Sequence, residues 1–468
     1  MARIDAYIPE PRLDYDVSNQ RQIIDALNSI KNQLNTSYQH DLRLEQQLFS
    51  SFIYGSPGAA NGCFQGNEVV IGPGNGSPAY DAFGRLRVSN PFTIFDSTNV
   101  MSKNNLFDES LTGSGTVSYT ANKSTVNLNV TTASGDKVIR QSKRVMSYQP
   151  GKSLFIFNTF VMNAQESGLE QRVGSFDANN GIFFEDTGTG YQIVRRSYTS
   201  GSSVDDPIAQ SAWNGDKLDG TGASGYDLNP TKATILFTDY EWLGMGAVRV
   251  GFVIDGKFIT AHTFLNANNL DTVYMQTANL PIRYEIETTG TISGAAVLQQ
   301  VCSSCMIEGG HSPQGVIESV GTASLGGVNL TTAGTFYNLA TIRIKSGRPY
   351  ALIIPQGFIA SAVSNSDFEL QLRQNATPST AFSYTSYSDN VEYDLTGSTT
   401  ITGGTIINRT YLSGKGVSIE NFGDGFNFEY QLGQTIAGVS DTLTLCAKGK
   451  SNGDDIVGSI KWYDTTNG

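Results

Sequence analysis

Apolar and polar residues alternate along much of this chain in the pattern of β-strands. Val126, Leu128 and Val130 alternate with asparagines, which places the three apolar side chains on one face of a predicted strand. The dipeptide Asp255-Gly256 separates two apolar runs and predicts a hairpin with a tight turn. Such strands recur with turn signals about every 8–12 residues through two long stretches of the chain, which is typical of β-sandwiches. The pattern predicts a mainly β chain with two β-sandwich (jelly-roll-like) domains.

A helical pattern precedes these strands in residues 18–53, which contain neither proline nor glycine. A narrow apolar stripe on this otherwise polar helix comprises Ile23, Leu27, Ile30, Leu34, Leu44 and Leu48. Such a stripe favours packing against copies of the same helix, and an amphipathic helix docked on its own domain is the alternative. We predict that these residues form an oligomerisation or anchor surface.

The order of these patterns predicts five segments. They are an N-terminal arm with the oligomerisation or anchor helix (1–54), a Gly/Pro-rich connector (55–95), a β-sandwich (96–310), a linker (311–335) and a C-terminal β-sandwich (336–468).

Charge and composition exclude several function classes. The chain has 31 Lys and Arg against 43 Asp and Glu, a net charge of −12, which disfavours nucleic-acid binding because that needs a basic surface. No apolar stretch approaches the ~18 residues of a membrane helix, and the N-terminus lacks a secretory signal pattern. We therefore expect a soluble protein that inserts in no membrane.

The Cys302-Ser-Ser-Cys305 sequence, with His311 six residues later, is a candidate metal site. A structural zinc site needs four such ligands, and no second pair of this spacing is present. We expect two small residues at a strand end, and no metal or cofactor.

Two acidic patterns are candidate sites of other kinds. Glu285 and Glu287 project from one face of a predicted strand, about 7 Å apart, as some glycoside hydrolases require. The fuller Glu-x-Asp-x-Glu pattern of one such family is absent, so we predict an exposed strand face and no catalysis. Asp205-Asp206 and Asp454-Asp455 could hold Ca²⁺, and we interpret them as solvated acidic turns.

Aromatic residues crowd one segment of the C-terminal domain. Tyr384, Tyr387 and Tyr393 lie close together in sequence, with Phe382 near them. They indicate either a surface that binds sugar rings or cross-strand packing. We favour packing for the individual residues and keep a glycan-binding surface in 336–468 as a hypothesis.

The stretch Asp81-Ala-Phe-Gly-Arg-Leu-Arg-Val-Ser89, continuing to Asp96, resembles a segment of structural proteins of tailed bacteriophages. It is associated most with marine phages that infect cyanobacteria, where it also leads into a β-sandwich. Tyr240–Gly256 and Glu308–Gly310 are similar to the same proteins, so the resemblance covers roughly residues 80–310.

This resemblance implies a virion structural protein. We expect a homo-oligomeric tail appendage, a fibre or a ring-like accessory protein, that is anchored through its N-terminus and contributes to tail assembly and host attachment. Expected partners are copies of the chain (a homotrimer first, with a hexamer as the alternative), other phage tail proteins and a host surface glycan. The expected location is the virion tail, after assembly in the host cytoplasm.

Two alternatives to this expectation stay open. A capsid decoration protein or head fibre belongs to the same structural class. A tailspike polysaccharide depolymerase belongs to another class. A β-helix repeat or a cleft with three carboxylates would support it, and the sequence shows neither.

Overall fold

The computed structural model describes residues 17–33, 64–65, 68–69, 90–311, 314–422 and 430–466. The chain forms two compact units, Met1–Ser89 and Asn90–Gly468.

The first unit contributes a helix and one small strand pair to the described residues. Helix α1 spans Val17–Gln33, and strands β1 (Phe64–Gln65) and β2 (Glu68–Val69) pair antiparallel. The remainder of the predicted helix, and with it Leu34, Leu44 and Leu48, lies outside the described residues. No helix in the described part of the chain is long and apolar enough to cross a membrane.

The second unit begins with a sandwich of two antiparallel sheets. Its strands are β3 (Pro91–Thr98), β4 (Phe107–Thr112), β5 (Thr116–Thr120), β6 (Thr125–Val130), β7 (Lys137–Ser142), β8 (Leu154–Val161), β9 (Leu169–Phe176), β10 (Gly181–Asp186), β11 (Tyr191–Ser197), β12 (Val204–Ala209), β13 (Thr234–Tyr240), β14 (Val248–Ile254), β15 (Lys257–Phe264), β16 (Ile282–Thr288) and β17 (Ala296–Glu308).

One sheet has seven strands in the order β12-β11-β10-β9-β16-β7-β4, and the other has eight, in the order β15-β14-β13-β8-β17-β6-β5 with β3 pairing β17. Alternate residues of the central strands point between the sheets, so Ile156, Phe160 and Tyr284 are fully buried. The predicted alternation around Leu128 is confirmed by the burial of its strand, and the hairpin at Asp255-Gly256 joins β14 and β15. The two turn residues have φ angles of 50° and 73°, which suit a tight hairpin turn.

A second sandwich completes the unit. Its strands are β18 (Val316–Gly321), β19 (Val328–Leu330), β20 (Tyr337–Ile344), β21 (Ile353–Ala362), β22 (Phe368–Gln374), β23 (Thr377–Pro378), β24 (Thr385–Ser386), β25 (Val391–Asp394), β26 (Ile401–Thr402), β27 (Thr405–Leu412), β28 (Val417–Asn421), β29 (Thr442–Gly449) and β30 (Asp454–Asp464). The main sheets are β18-β30-β21-β28, with β19 on β30, and β24-β25-β20-β29-β22-β27. The predicted fold class, a mainly β chain with an N-terminal helix and jelly-roll-like sandwiches, is confirmed.

The structure corrects two predicted boundaries. The predicted linker 311–335 contains β18 and β19, which both pair with β30, and the predicted connector 55–95 includes most of β3, which pairs with β17. Strand β18 lies at a sheet edge and leaves Val316 and Ile317 exposed, so it lacks the alternating burial that a sequence pattern records.

Direct hydrogen bonds join the two sandwiches within this unit. The Tyr350 hydroxyl donates to Asp177 Oδ2 at 2.7 Å, and Gln431 Nε2 donates to the backbone oxygen of Val145 at 3.1 Å. These contacts hold loops of both sandwiches beside each other, and Tyr350 also lines a groove between them.

Candidate functional site

A groove of about 650 Å³ opens between the two sandwiches of the second unit. One wall belongs to the first sandwich and includes Tyr148 and Trp242. The opposite wall belongs to the second sandwich and includes Arg348, Tyr350 and Asp389. Clefts of this size at domain boundaries are common binding sites for small molecules.

Trp242 borders the groove from the turn between β13 and β14. Leu243 and Gly244 follow it with φ angles of 36° and 76°, and the backbone nitrogen of Gly246 donates to Trp242 O at 2.8 Å. The indole Nε1 donates to the backbone oxygen of Met275 at 3.2 Å. The tight turn and this hydrogen bond fix a half-buried indole ring at the edge of the groove.

Tyr148 packs against this indole edge to face, with ring centroids 6.0 Å apart and planes at 80°. Its hydroxyl accepts a hydrogen bond from Leu243 N at 3.2 Å, and its own backbone nitrogen donates to Asn279 Oδ1 at 3.0 Å. Both aromatic rings of this wall are therefore held in place before any ligand arrives.

Tyr350 lies on the opposite wall and is held from the first sandwich. Its hydroxyl donates to Asp177 and accepts a hydrogen bond from Asn180 Nδ2 at 3.2 Å. Burial, together with the negative charge of Asp177, raises the pKa of Tyr350 above its ordinary value, so the hydroxyl stays protonated at neutral pH.

Polar side chains complete the rim of the groove. Gln276, Arg348 and Asp389 are exposed and present an amide, a guanidinium and a carboxylate. Arg348 Nε donates to the backbone oxygen of Asp389 at 2.9 Å, which ties the two residues together. They are the charged residues among the described lining, and their formal charges cancel.

The groove lining offers aromatic, hydrogen-bonding and charged side chains. The described lining residues include no histidine, cysteine or lysine and a single carboxylate. Neither a nucleophile with its base nor a pair of carboxylates is assembled there.

The predicted pair Glu285 and Glu287 lies elsewhere, on the outer face of the seven-stranded sheet. Lys137 Nζ contacts both carboxylates at 2.8 Å. Arg172 Nη1 lies 2.8 Å from Glu285 and 3.4 Å from Glu287, and Arg283 also pairs with Glu285. The alternation therefore placed the two glutamates on one face correctly, but the expectation that this face is exposed is wrong for Glu285, which the surrounding cations cover.

These cations determine the protonation state of Glu285, whose side chain is only 3% exposed. Burial alone would raise the pKa of this carboxyl, but the three neighbouring cations, first Arg283, lower it to about 2. A general acid must hold its proton at the working pH, so Glu285 does not fit that role.

Cys302 and Cys305 point to opposite faces of the eight-stranded sheet. They pair across β17 and β8 with the outward Thr159 and the buried Ile156, respectively. Cys305 is fully buried in the core, and burial raises the pKa of its thiol. Within the described residues, no three His, Cys, Asp or Glu side chains come close enough to hold a metal ion together.

The structure corrects the interpretation of the acidic pairs as turns. Asp205 and Asp206 lie on β12, and Asp454 and Asp455 begin β30. The partners of the four carboxylates are Arg196, Arg195, Ser366 and Asn329, respectively. Each carboxylate therefore has a structural partner inside the fold.

The tyrosines of the C-terminal domain mostly contact other rings. Tyr387 packs edge to face on Trp462 at 5.1 Å and on Tyr393 at 6.1 Å. The Arg343 guanidinium lies 3.6 Å from the ring centroid of Tyr384. These contacts are the packing expected for the individual tyrosines, although Tyr387 remains 41% exposed.

On α1, the described part of the predicted apolar stripe is only partly covered. Ile23 and Ile30 are half-buried, Leu27 is 53% exposed, and the adjoining Ile24 is 55% exposed. The structure therefore leaves an apolar helix face largely accessible in the single chain.

Sequence reasoning missed the groove. One local pattern could have indicated it. In Glu241-Trp242-Leu243-Gly244 a tryptophan follows a charged residue and precedes a glycine by two positions, which is typical of an aromatic side chain in a turn. The opposite wall, which includes Tyr350, is distant in sequence, and no local pattern connects the two.

No family model and no curated protein sequence matches the chain. Among solved structures, a protein of unknown function from Shewanella oneidensis MR-1 is 11% identical with a TM-score of 0.32, and covers 53% of this chain and all of its own. A Bacillus licheniformis β-glucanase is 12% identical with a TM-score of 0.28, covering 47% of this chain and 99% of its own. Peanut lectin is 11% identical with a TM-score of 0.26, covering 47% and 97%.

Proposed function

We propose that this chain is a homo-oligomeric structural protein of a phage virion, a tail appendage that contributes to assembly and host attachment. The motif resemblance over residues 80–310 suggests the virion. The structural observation that supports the proposal is the exposed apolar face of α1.

The occupant of this face, in the proposal, is α1 of other copies of the chain. Ile23, Leu27 and Ile30 follow one another at the spacings of four and three residues that characterise coiled-coil seams. Helices in proteins take most of their stability from the packing of an apolar face, so packing several copies of α1 together would stabilise it. Three copies, the first expectation from sequence, would bury the stripe around a common axis.

The first experiment measures the molar mass of the full chain by sedimentation equilibrium. A mass near a multiple of 50.4 kDa, three times for a trimer, supports the proposal. Leu27→Glu should lower the mass toward that of a single chain, because it places a charge in the seam. Asn28→Glu adds the same charge beside the seam and should leave the mass unchanged.

A monomeric wild-type chain, or equal masses for both variants and the wild type, would remove the basis for self-association through α1. The two outcomes differ, because the second leaves an oligomer that forms through another surface.

Location in the particle needs a separate experiment. Gold-labelled antibody against the full chain should decorate the tails of intact virions. Label on the head would contradict the tail appendage and favour a capsid decoration protein. If mass spectrometry does not detect the protein in purified virions, a virion role is contradicted altogether.

A further inference from the structure

We infer that the groove between the two sandwiches binds a neutral oligosaccharide. This inference rests on the proposed function in one respect: it names the class of host molecule that an attachment protein would contact. The site itself is argued from the residues of the groove.

The aromatic wall provides the first argument. One face of a pyranose ring is lined with C–H groups and packs against the flat face of an aromatic side chain. Trp and Tyr offer large rigid surfaces for this at little cost in conformational entropy. Trp242 is the ring of this wall that a ligand can reach, since Tyr148 is only 7% exposed and packs edge to face against it. Trp242 is fixed through Met275, and Tyr148 through Leu243, so the wall is ordered in the unbound chain.

The polar rim provides the second argument. Sugar hydroxyls both donate and accept hydrogen bonds, so a saccharide site needs groups of both kinds. The Gln276 amide donates and accepts, the Asp389 carboxylate accepts, and the Arg348 guanidinium donates. These side chains are exposed, so a ligand can reach them.

The charge of the groove argues for a neutral ligand. The charges of Arg348 and Asp389 cancel, and the backbone oxygen of Asp389 already accepts a hydrogen bond from Arg348. An anionic chain of uronate, sulfate or phosphate groups would require an excess of cations along the walls. The volume of about 650 Å³ lies within the ordinary range of small-molecule sites, which includes short oligosaccharides.

The tryptophans of this chain make the inference directly measurable. Of the three, Trp213 is 2% exposed and Trp462 is fully buried, whereas Trp242 is half-buried at the groove. A neutral collisional quencher such as acrylamide should therefore act mainly on Trp242. A sugar bound against this ring should shield it and lower the quenching constant.

The experiment titrates the full chain with maltotriose, cellotriose and mannotriose and measures acrylamide quenching together with isothermal titration calorimetry. We expect at least one trisaccharide to bind and to reduce quenching. Gln276→Ala and Asp389→Ala should each weaken that binding about tenfold, because each removes exposed hydrogen-bonding groups. Trp242→Ala should weaken it roughly 10- to 100-fold by calorimetry.

Tyr411→Ala is the matched control, because Tyr411 is an aromatic residue 67% exposed on the edge strand β27, away from the groove lining. It should bind the sugar as the wild type does. If Tyr387→Ala loses saccharide binding while the groove variants retain it, the inference is overturned. The tyrosines of the second sandwich would then be the favoured binding site.

Absence of binding for all three trisaccharides at millimolar concentration would also overturn it. That result leaves the virion role standing if the antibody labels the tail. Conversely, saccharide binding that depends on Trp242 establishes the groove even if no virion is labelled.

Discussion

The hydroxyl of Tyr350 in the second sandwich donates a hydrogen bond to the carboxylate of Asp177 in the first, at 2.7 Å. The same carboxylate accepts two backbone hydrogen bonds from its own loop, at Asn179 and Asn180, both at 2.7 Å. A loop of the first sandwich, held by its own backbone hydrogen bonds, thus also accepts a hydrogen bond from a side chain of the second. The pair links the two sandwiches at the edge of the groove.

Removing this hydroxyl should loosen the connection. Tyr350→Phe loses a hydrogen bond to a charged acceptor, worth about 1.5–3 kcal/mol, while the ring is retained. We expect the two sandwiches of this variant to unfold at temperatures that lie further apart than in the wild type. Differential scanning calorimetry measures these transitions. Tyr411→Phe, at an exposed position, should leave the profile unchanged, and an identical profile for both variants would contradict the linking role of Tyr350.

Glu285 should make stability depend on acid pH. Its pKa is about 2 in the folded chain against an ordinary value of 4.5, so folding favours the ionised form. The stabilisation is complete above about pH 4.5 and is lost as the pH falls toward 2. Urea denaturation of Glu285→Gln should show a large loss of stability at pH 7, about 3–5 kcal/mol for a broken buried pair, and little loss near pH 2.

The exposed Glu241 offers the control for this measurement. The stability of Glu241→Gln should depend on pH as that of the wild type does. An equal loss for Glu285→Gln at both pH values would show that its effect is one of packing and not of charge.

His311 should act in a different pH range. Burial, and then the charge of Lys152, lower its pKa from 6.5 to about 4, so the folded chain favours the neutral imidazole. Stability is therefore complete above about pH 6.5 and declines as the pH falls toward 4. In His311→Gln the loss of stability between pH 7 and pH 5 should be smaller than in the wild type. Urea denaturation curves at the two pH values measure it. An equal loss in the variant and the wild type would exclude His311 as its source.

The cysteines should differ in reactivity. Cys302 is half-buried, whereas Cys305 and Cys446 are buried, and burial raises the pKa of the Cys446 thiol to about 12. Iodoacetamide at pH 8, followed by peptide mass spectrometry, should label Cys302 in the folded chain and the other two only after unfolding. Equal labelling of Cys302 and Cys305 in the folded chain would contradict their placement on opposite sheet faces.

Two neighbouring phenylalanines should differ in their contribution to stability. The rings of Phe237 and Phe258 lie 5.4 Å apart on the outer face of the eight-stranded sheet, but Phe237 is 4% exposed and Phe258 is 59% exposed. We expect Phe237→Ala to cost about 3–5 kcal/mol and Phe258→Ala less than about 1 kcal/mol. Urea denaturation measures both, and similar costs would mean that Phe258 is covered in solution.

Much of the fold was predictable because burial follows local alternation. Leu128 and its neighbours, and the turn at Asp255-Gly256, are encoded within a few residues. Strands β18 and β19 were missed because they are stabilised by backbone pairing with β30, which a local pattern does not record.

The groove was not predictable for a related reason. Trp242 and Tyr350 belong to different sandwiches, and only the docking of the sandwiches brings their loops to one cleft. The pairing of Glu285 and Glu287 on one face could be read from the sequence. Arg283, two residues before Glu285 on β16, could be read with them. The contacts of Arg172 and Lys137 could not, because those cations come from other strands.

The order in which the strands arise has a consequence for synthesis on the ribosome. Each sandwich contains a long interior strand that comes last in its sequence: β17 pairs with β3, β6 and β8, and β30 pairs with β18, β19 and β21. Until β17 leaves the exit tunnel, the strands on either side of it have unpaired edges. The first sandwich can close while the second is still being made. The second can close only after β30 has left the tunnel, so a chain truncated before β30 would have a folded first sandwich joined to an open, aggregation-prone sheet.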